Sequence, residues 1–141
     1  MILCAAVDDN MGMTFNKRRQ SQDRMLRERL LELIHGEKLW MNNYTAKQFE
    51  VPLAGNIVVD DDFFDKAGDD DFCFAENTSV AKYRDKIKKI ILFKWNRVYP
   101  ADTYFDISFR KNEWRLVSTT EFEGSSHKKI TIEEWENVKN S

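Results

Sequence analysis

A chain of 141 residues, 42% hydrophobic and 33% charged, has the size and balance of one globular domain, 1–141, rather than of a disordered or fibrous segment. Its formal net charge of −2 excludes a chain-wide pull toward nucleic acid or anionic lipid, so an anion would have to be met by a local patch. No apolar run approaches about 18 residues, and the opening 1–7 lacks the basic flank of a secretion signal; the expectation is a cytoplasmic protein without a membrane partner.

The first predicted strand, 2–9, is a continuous apolar run closed by Asp8 and Asp9, the pattern of a strand buried on both faces. Residues 10–20 read as a loop turning at Gly12. Ser21 is the expected N-cap of a helix whose Leu26, Leu30, Leu33 and Ile34 share one face and which Gly36 stops. Short strands at 38–41, 56–59 and 71–76 come next, with a short helix at 44–49 and another from about 78 to 86. The second long apolar strand is 88–95. In 103–109, Tyr104, Asp106 and Ser108 alternate with Phe105, Ile107 and Phe109, which predicts a half-buried strand. Segments 113–122 and 127–132 form a hairpin across 123–126. This order predicts an α/β domain of three layers, its twisted sheet mostly parallel with an antiparallel C-terminal edge hairpin.

Several residue groups invite chemistry. Lys17, Arg18 and Arg19, with Gln20 and Ser21 after them, stand just before the first helix, whose N-terminal N–H groups and dipole favour an anion. Two readings stay open: these residues form a pocket for a phosphate or carboxylate, or they pair with Asp8, Asp9 or the acidic run 60–72. That run holds seven aspartates but does not supply the D-x-[DN]-x-[DN]-G spacing or the twelfth-position glutamate of a calcium loop, and reads as a solvated loop. Cys4 and Cys73 lie in apolar runs and read as buried free thiols, with no metal spacing. His127 has no acid or nucleophile at a telling spacing and reads as a solvated loop histidine. His35 suits a helix C-terminus, and Trp40, Trp114 and Trp135 suit sheet packing. The stretch 93–99, "FKWNRVY", offers part of a base-stacking surface.

Four segments in order resemble the dihydrofolate reductase family: "AAVDDNMGM" its first strand and glycine turn, "LWMNNYTAKQF" its M-G-R-x-T-[FW]-x-S-[IF] segment, "IILFKWNRVY" its I-x-G-G-[GA]-x-[VIL]-Y segment, and "EWRLVSTTEF" its late edge strand. The resemblance implies that fold, which riboflavin-pathway reductases share. It also implies a cofactor groove at Asn42, Asn43, Thr45, Lys94, Trp95 and Asn96. There this chain departs: Asn42 and Asn43 replace the family's glycine and arginine, and Lys94, Trp95 and Asn96 replace the paired glycines that seat a pyrophosphate on bare backbone. The expectation is therefore no cofactor and a groove plugged by Trp95. Asp23 stands about where the family keeps its catalytic carboxylate, a role it would have only if reductase activity is retained; the plainer reading is an acidic residue favoured by the dipole of a first helical turn. Small bacterial proteins with this kind of opening also resemble proteins labelled ribonuclease Z. That metallo-hydrolase needs a H-x-H-x-D-H cluster, which His35 and His127 do not supply.

The function expected from the residues is a non-reductase binding module for a small anionic ligand (a nucleotide, phosphometabolite or pterin-like acid) held by Lys17, Arg18, Arg19, Gln20 and Ser21 at the first-helix N-terminus. The alternatives are an NADPH-dependent reductase of dihydrofolate or riboflavin-pathway type using Asp23, and a protein- or RNA-interaction module using the basic loop and Trp95. Nucleic acid is not the expected partner.

Overall fold

The computed structural model of the chain describes residues 1–139. β1 (Ile2–Val7) is the strand expected there. Its alternate side chains go to opposite faces, Leu3, Ala5 and Val7 to one core and Cys4 to the other, all fully buried.

Residues 10–20 are not the expected loop. β2 (Gly12–Phe15) and β3 (Arg18–Arg19) form a tight hairpin, with Thr14 opposite Arg19 and Phe15 opposite Arg18. Its tip, Asn16 and Lys17, has φ of 50° and 63°, the left-handed pair whose twist matches that of the flanking strands. The second of these positions normally carries glycine, so "NK" gave no turn signal. Gly12 does not make the turn either; Met11 carries the positive φ, 65°. A Cβ on Gly12 would lie 2.6 Å from Ala101 Cβ, so glycine here permits a close approach. Lys17→Gly is expected to raise folding stability by about 1 kcal/mol, because a left-handed residue with a Cβ costs about that much. Urea unfolding measures it, and an unchanged or lowered midpoint would count against strain at the tip.

α1 (Arg24–Ile34) begins later than a Ser21 cap implies. Asp23 is the N-cap, its carboxylate accepting from the Met25 and Leu26 N–H groups. Leu26, Leu30 and Ile34 face the core as expected, whereas Leu33 is exposed. The helix ends through His35 and Gly36, both left-handed.

β4 (Leu39–Met41), α2 (Asn43–Ala46) and β5 (Ile57–Val59) stand where they were expected. The acidic run 60–72 is more than a solvated loop. It contains α3 (Phe63–Lys66), whose Phe63 and Phe64 are buried, and Asp71 accepts a hydrogen bond from the Trp40 indole N–H at 2.9 Å. β6 (Phe72–Phe74), a 3-10 helix at Ala81–Lys86 and β7 (Lys89–Lys94) come next. The strand expected over 103–109 shrinks to β8 (Thr103–Tyr104). Phe105 and Ile107 still point inward, so the alternation marked burial correctly, but Phe109 is held by stacking on Trp135 at 4.2 Å. β9 (Trp114–Phe122) and β10 (Ile130–Asn137) make the C-terminal hairpin.

The main sheet runs β5-β4-β6-β1-β7-β10-β9. Pairings from β5 through β7 are parallel; β10 lies antiparallel to β7 and to β9. A second, three-stranded sheet runs β3-β2-β8. Leu26, Leu30, Ile34 and Phe49 cover one face against Cys4, Ile91 and Phe93. Phe63, Phe64, Val80, Ile87, Phe105 and Ile107 cover the other against Leu3, Ala5, Ile90 and Leu92. The result is the three-layer α/β domain expected, with its antiparallel edge. Cys4 and Cys73 are free and buried. Among the described residues no helix is long and apolar enough to cross a membrane.

Candidate functional site

The chain turns away from the sheet at the C-terminal ends of β1 and β7, and Asp8 organises the turn. It is fully buried; Oδ1 accepts from the Asn10 and Gly12 N–H groups at 2.9 and 2.7 Å. Oδ2 accepts from the Tyr99 N–H at 3.0 Å and from Gln20 Nε2 at 3.3 Å. Burial alone would raise the Asp8 pKa, but the Tyr99, Gly12 and Asn10 N–H groups and the Gln20 amide outweigh it and hold the carboxyl below its ordinary value. Asp8 thereby fixes Gln20 and Tyr99, two walls of an open cleft of about 490 Å3. Phe15, Asn16, Arg18, Arg19 and Pro100 complete it, so aromatic and proline faces meet two guanidinium groups.

The two arginines are not equivalent. Arg19 donates through Nε and Nη2 to both Glu76 carboxylate oxygens, at 3.0 and 3.1 Å, and lies over the Tyr44 ring at 4.5 Å. It therefore pairs with neither Asp8, Asp9 nor the acidic run. Arg18 is exposed and has no ion-pair partner among the described residues; Lys17 in the adjoining turn has none either. The three cations sit on the β2–β3 hairpin rather than on the helix end.

The helix end is already occupied by a carboxylate of the chain itself. Asp23 Oδ1 accepts from the Ser125 N–H at 2.9 Å and the Ser125 hydroxyl at 3.1 Å, besides capping α1. Oδ2 accepts from the Ser126 N–H at 2.8 Å and the Ser126 hydroxyl at 3.1 Å, and lies 3.0 Å from His127 Nδ1. Gly124 lets the hairpin close onto it, since a Cβ there would lie 2.6 Å from Asp23 Oδ2. Burial would raise the Asp23 pKa; the Ser125 N–H, His127, the Ser126 N–H and the Ser125 hydroxyl together hold it well below the carboxylate range. The expected anion pocket at the α1 N-terminus is thus filled from within.

His127 is not a solvated loop histidine. Its side chain is 3% exposed and its ring stacks on Trp95 with centroids 4.5 Å apart. The far ring nitrogen, Nε2, lies 3.1 Å from the Ser21 hydroxyl and 3.0 Å from the Tyr99 hydroxyl. Ser21 and His127 stand 106 positions apart and Asp23 and His127 104, so no local spacing could have joined them. Tyr99 stood in the sequence only as the last residue of the stretch 93–99, with nothing to link it to His127. Trp95 itself is 3% exposed and presents no stacking face to a nucleic acid.

No protein-family model matches the sequence, and no curated protein matches it. Among solved structures, dihydrofolate reductase from Enterococcus faecalis, complexed with NADP(H) and RAB-propyl, matches 98% of this chain and 96% of its own. The TM-score is 0.64 and the sequence identity 13%. The chain has a dihydrofolate reductase-like fold.

Within that fold the positions of the resemblance-implied cofactor groove are occupied by structural contacts. Asn42 caps α2 through the Thr45 N–H at 2.9 Å and donates to Asn77 at 2.8 Å. Thr45 is fully buried, and the Asn43 N–H donates to Asp61. Lys94 lies 3.7 Å from Glu133 across the β7–β10 pair. Trp95 stands directly after β7, its N–H donating to the Val7 carbonyl at 3.0 Å, and its indole joins the core under α1. Asn96 adopts φ of 60° and ties down β10 by donating to the Lys129 carbonyl and the Thr131 hydroxyl. Asp23, by hydrogen bond, and Trp95, by stacking, are therefore joined through one histidine, His127.

Proposed function

We propose that the protein is a non-reductase binding module that holds a small anionic ligand, such as a nucleotide, phosphometabolite or pterin-like acid, in the cleft beside Arg18. The observation that carries this reading is the exposed Arg18 guanidinium, without an ion-pair partner among the described residues, on a cleft whose other walls are Phe15, Tyr99 and Pro100. A planar fork of donors suits phosphate or carboxylate, and flat apolar faces suit a ring. Arg19 has a different part: locked on Glu76 and Tyr44, it stiffens the hairpin that presents Arg18. Gln20 forms a wall, whereas Ser21 and the α1 N-terminus are engaged by His127 and Asp23 and leave the ligand to the hairpin.

Two observations support a reading without reductase chemistry. The Asp23 side chain has no exposed surface. A dinucleotide seat of the family kind needs bare backbone, and here those positions carry the Asn96 side chain, tied to the Lys129 carbonyl and the Thr131 hydroxyl. The residues present do not fit NADPH in that manner.

Arg18→Ala tests the ligand site. Calorimetric titration with AMP and with inorganic pyrophosphate is expected to show binding by the native chain, weakened at least about tenfold in the variant. That is the loss of one charge-assisted contact of about 1.5–3 kcal/mol. Equal affinities for the two proteins would overturn the assignment.

A further inference from the structure

We propose that Ser21, His127 and Asp23 form a nucleophile, a general base and its orienting acid, and that the protein cleaves a carboxylic ester at the wall of the cleft. The three groups stand in the relation such chemistry requires, recognised by geometry and role rather than by chain order. Ser21 Oγ lies 3.1 Å from His127 Nε2, and His127 Nδ1 lies 3.0 Å from Asp23 Oδ2. Asp23 is enclosed and held as a carboxylate by N–H and hydroxyl donors from Ser125 and Ser126. A carboxylate accepting the Nδ1–H fixes the tautomer that leaves Nε2 free to take a proton. Trp95, stacked at 4.5 Å, fixes the plane of the ring. Ser125 and Ser126 are excluded as nucleophiles because their hydroxyls serve Asp23, on the Nδ1 side.

The neighbours set substrate access. Gln20, next to Ser21, and Tyr99, bonded to the same Nε2, both line the cleft. Nε2 has one lone pair, so only one of the two hydroxyls donates to it at a time. An ester whose oxygen takes up the Tyr99 hydroxyl leaves Ser21 as the donor, and the phenol becomes the hydrogen-bond donor to developing negative charge. Ser21 Oγ then bonds to the acyl carbon while its proton passes to Nε2. The bond from the acyl carbon to the alkoxy oxygen breaks, and the alcohol leaves with that proton. Water, deprotonated by Nε2, attacks the acyl-serine and releases the carboxylic acid, and the proton returns to Ser21 Oγ. A preference for esters of anionic molecules rests on the ligand reading above; the nucleophile does not.

The test uses the full chain and an uncharged fluorophosphonate probe. Covalent labelling is expected at Ser21, located by peptide mass spectrometry, absent in Ser21→Ala and slowed at least about hundredfold in His127→Gln. Circular dichroism confirms that each variant is folded. Should His127→Gln fail to fold, Ser21→Cys supplies the second measurement. Its thiol is expected to react with iodoacetamide faster at neutral pH than a free cysteine, while Cys4 and Cys73, buried and pushed to high pKa, stay silent. No labelling of the folded native chain, equal labelling of Ser21→Ala, or an ordinary thiol rate at Ser21→Cys would each overturn the proposal. Labelling at Ser21 together with no binding of AMP or pyrophosphate would overturn the ligand reading alone.

Discussion

Asp23→Asn is expected to remove about 3–5 kcal/mol of folding stability, because hydrogen bonds to a charged group contribute about 1.5–3 kcal/mol each and a buried donor left without an acceptor costs about 1–3 kcal/mol. Against a total of about 5–15 kcal/mol this is a severe loss. The mechanism is donor against donor. An asparagine can keep Oδ1 as the cap of α1 and the acceptor for Ser125. Its amide must then replace Oδ2, where the Ser126 N–H, the Ser126 hydroxyl and His127 Nδ1 converge. Asp23→Ala should be worse still by about 1 kcal/mol, since the cap is lost as well. Urea unfolding at neutral pH measures both; a change below about 1 kcal/mol in Asp23→Asn would show that the cluster is not a stabilising hub.

The same substitution has a pH signature with a definite sign. The folded-state pKa of Asp23 is depressed, so the unfolded chain takes up the proton first as pH falls. The stability Asp23 contributes is therefore fully present above the ordinary aspartate range of about 4 and is lost as pH drops toward the folded value. Asp8, Asp71 and Asp106 have lowered pKa values too, so the native chain loses stability in acid through several groups. The difference between native and Asp23→Asn stability isolates one of them. It should shrink steadily below about pH 4 as the unfolded chain takes up the proton.

Trp95→Ala is expected to cost about 3–5 kcal/mol, the usual range for truncating a buried aromatic side chain to alanine. The indole fills the core beneath α1 and forms the floor on which His127 lies. Because Trp95 and Asp23 both act on the same imidazole, the double variant should lose less than the sum of the single losses. Thermal unfolding of the native chain in millimolar NADPH gives a companion result: no shift in Tm is expected, and a rise of several degrees would overturn the reading that the chain does not seat this cofactor.

How much of this was legible in the sequence depended on the range of the interaction. β1 and β7 could be read because strands flanked on both sides must be apolar on both faces, and α1 because Leu26, Leu30 and Ile34 repeat at the helical period. The β2–β3 hairpin escaped because Asn16 and Lys17 adopt a turn that lysine rarely takes. The acidic run looked solvated because its aspartates outnumber Phe63 and Phe64, the two residues that anchor it. Arg18 and Gln20 were legible as candidates, but the sequence could not tell that Arg19 would be spent on Glu76, 57 positions away.

Period and composition by themselves determined the α/β class, the strands of the main sheet, α1 and the two-sided core, since each residue's partition between water and interior is written locally. The tertiary structure alone decided that Ser21, Asp23, Tyr99, Trp95 and His127 meet, and that the helix end is filled from within. The bonds between these residues span 28 to 106 positions. A polar group's partner over such distances is chosen by where the sheet brings the strand ends, which no local pattern encodes.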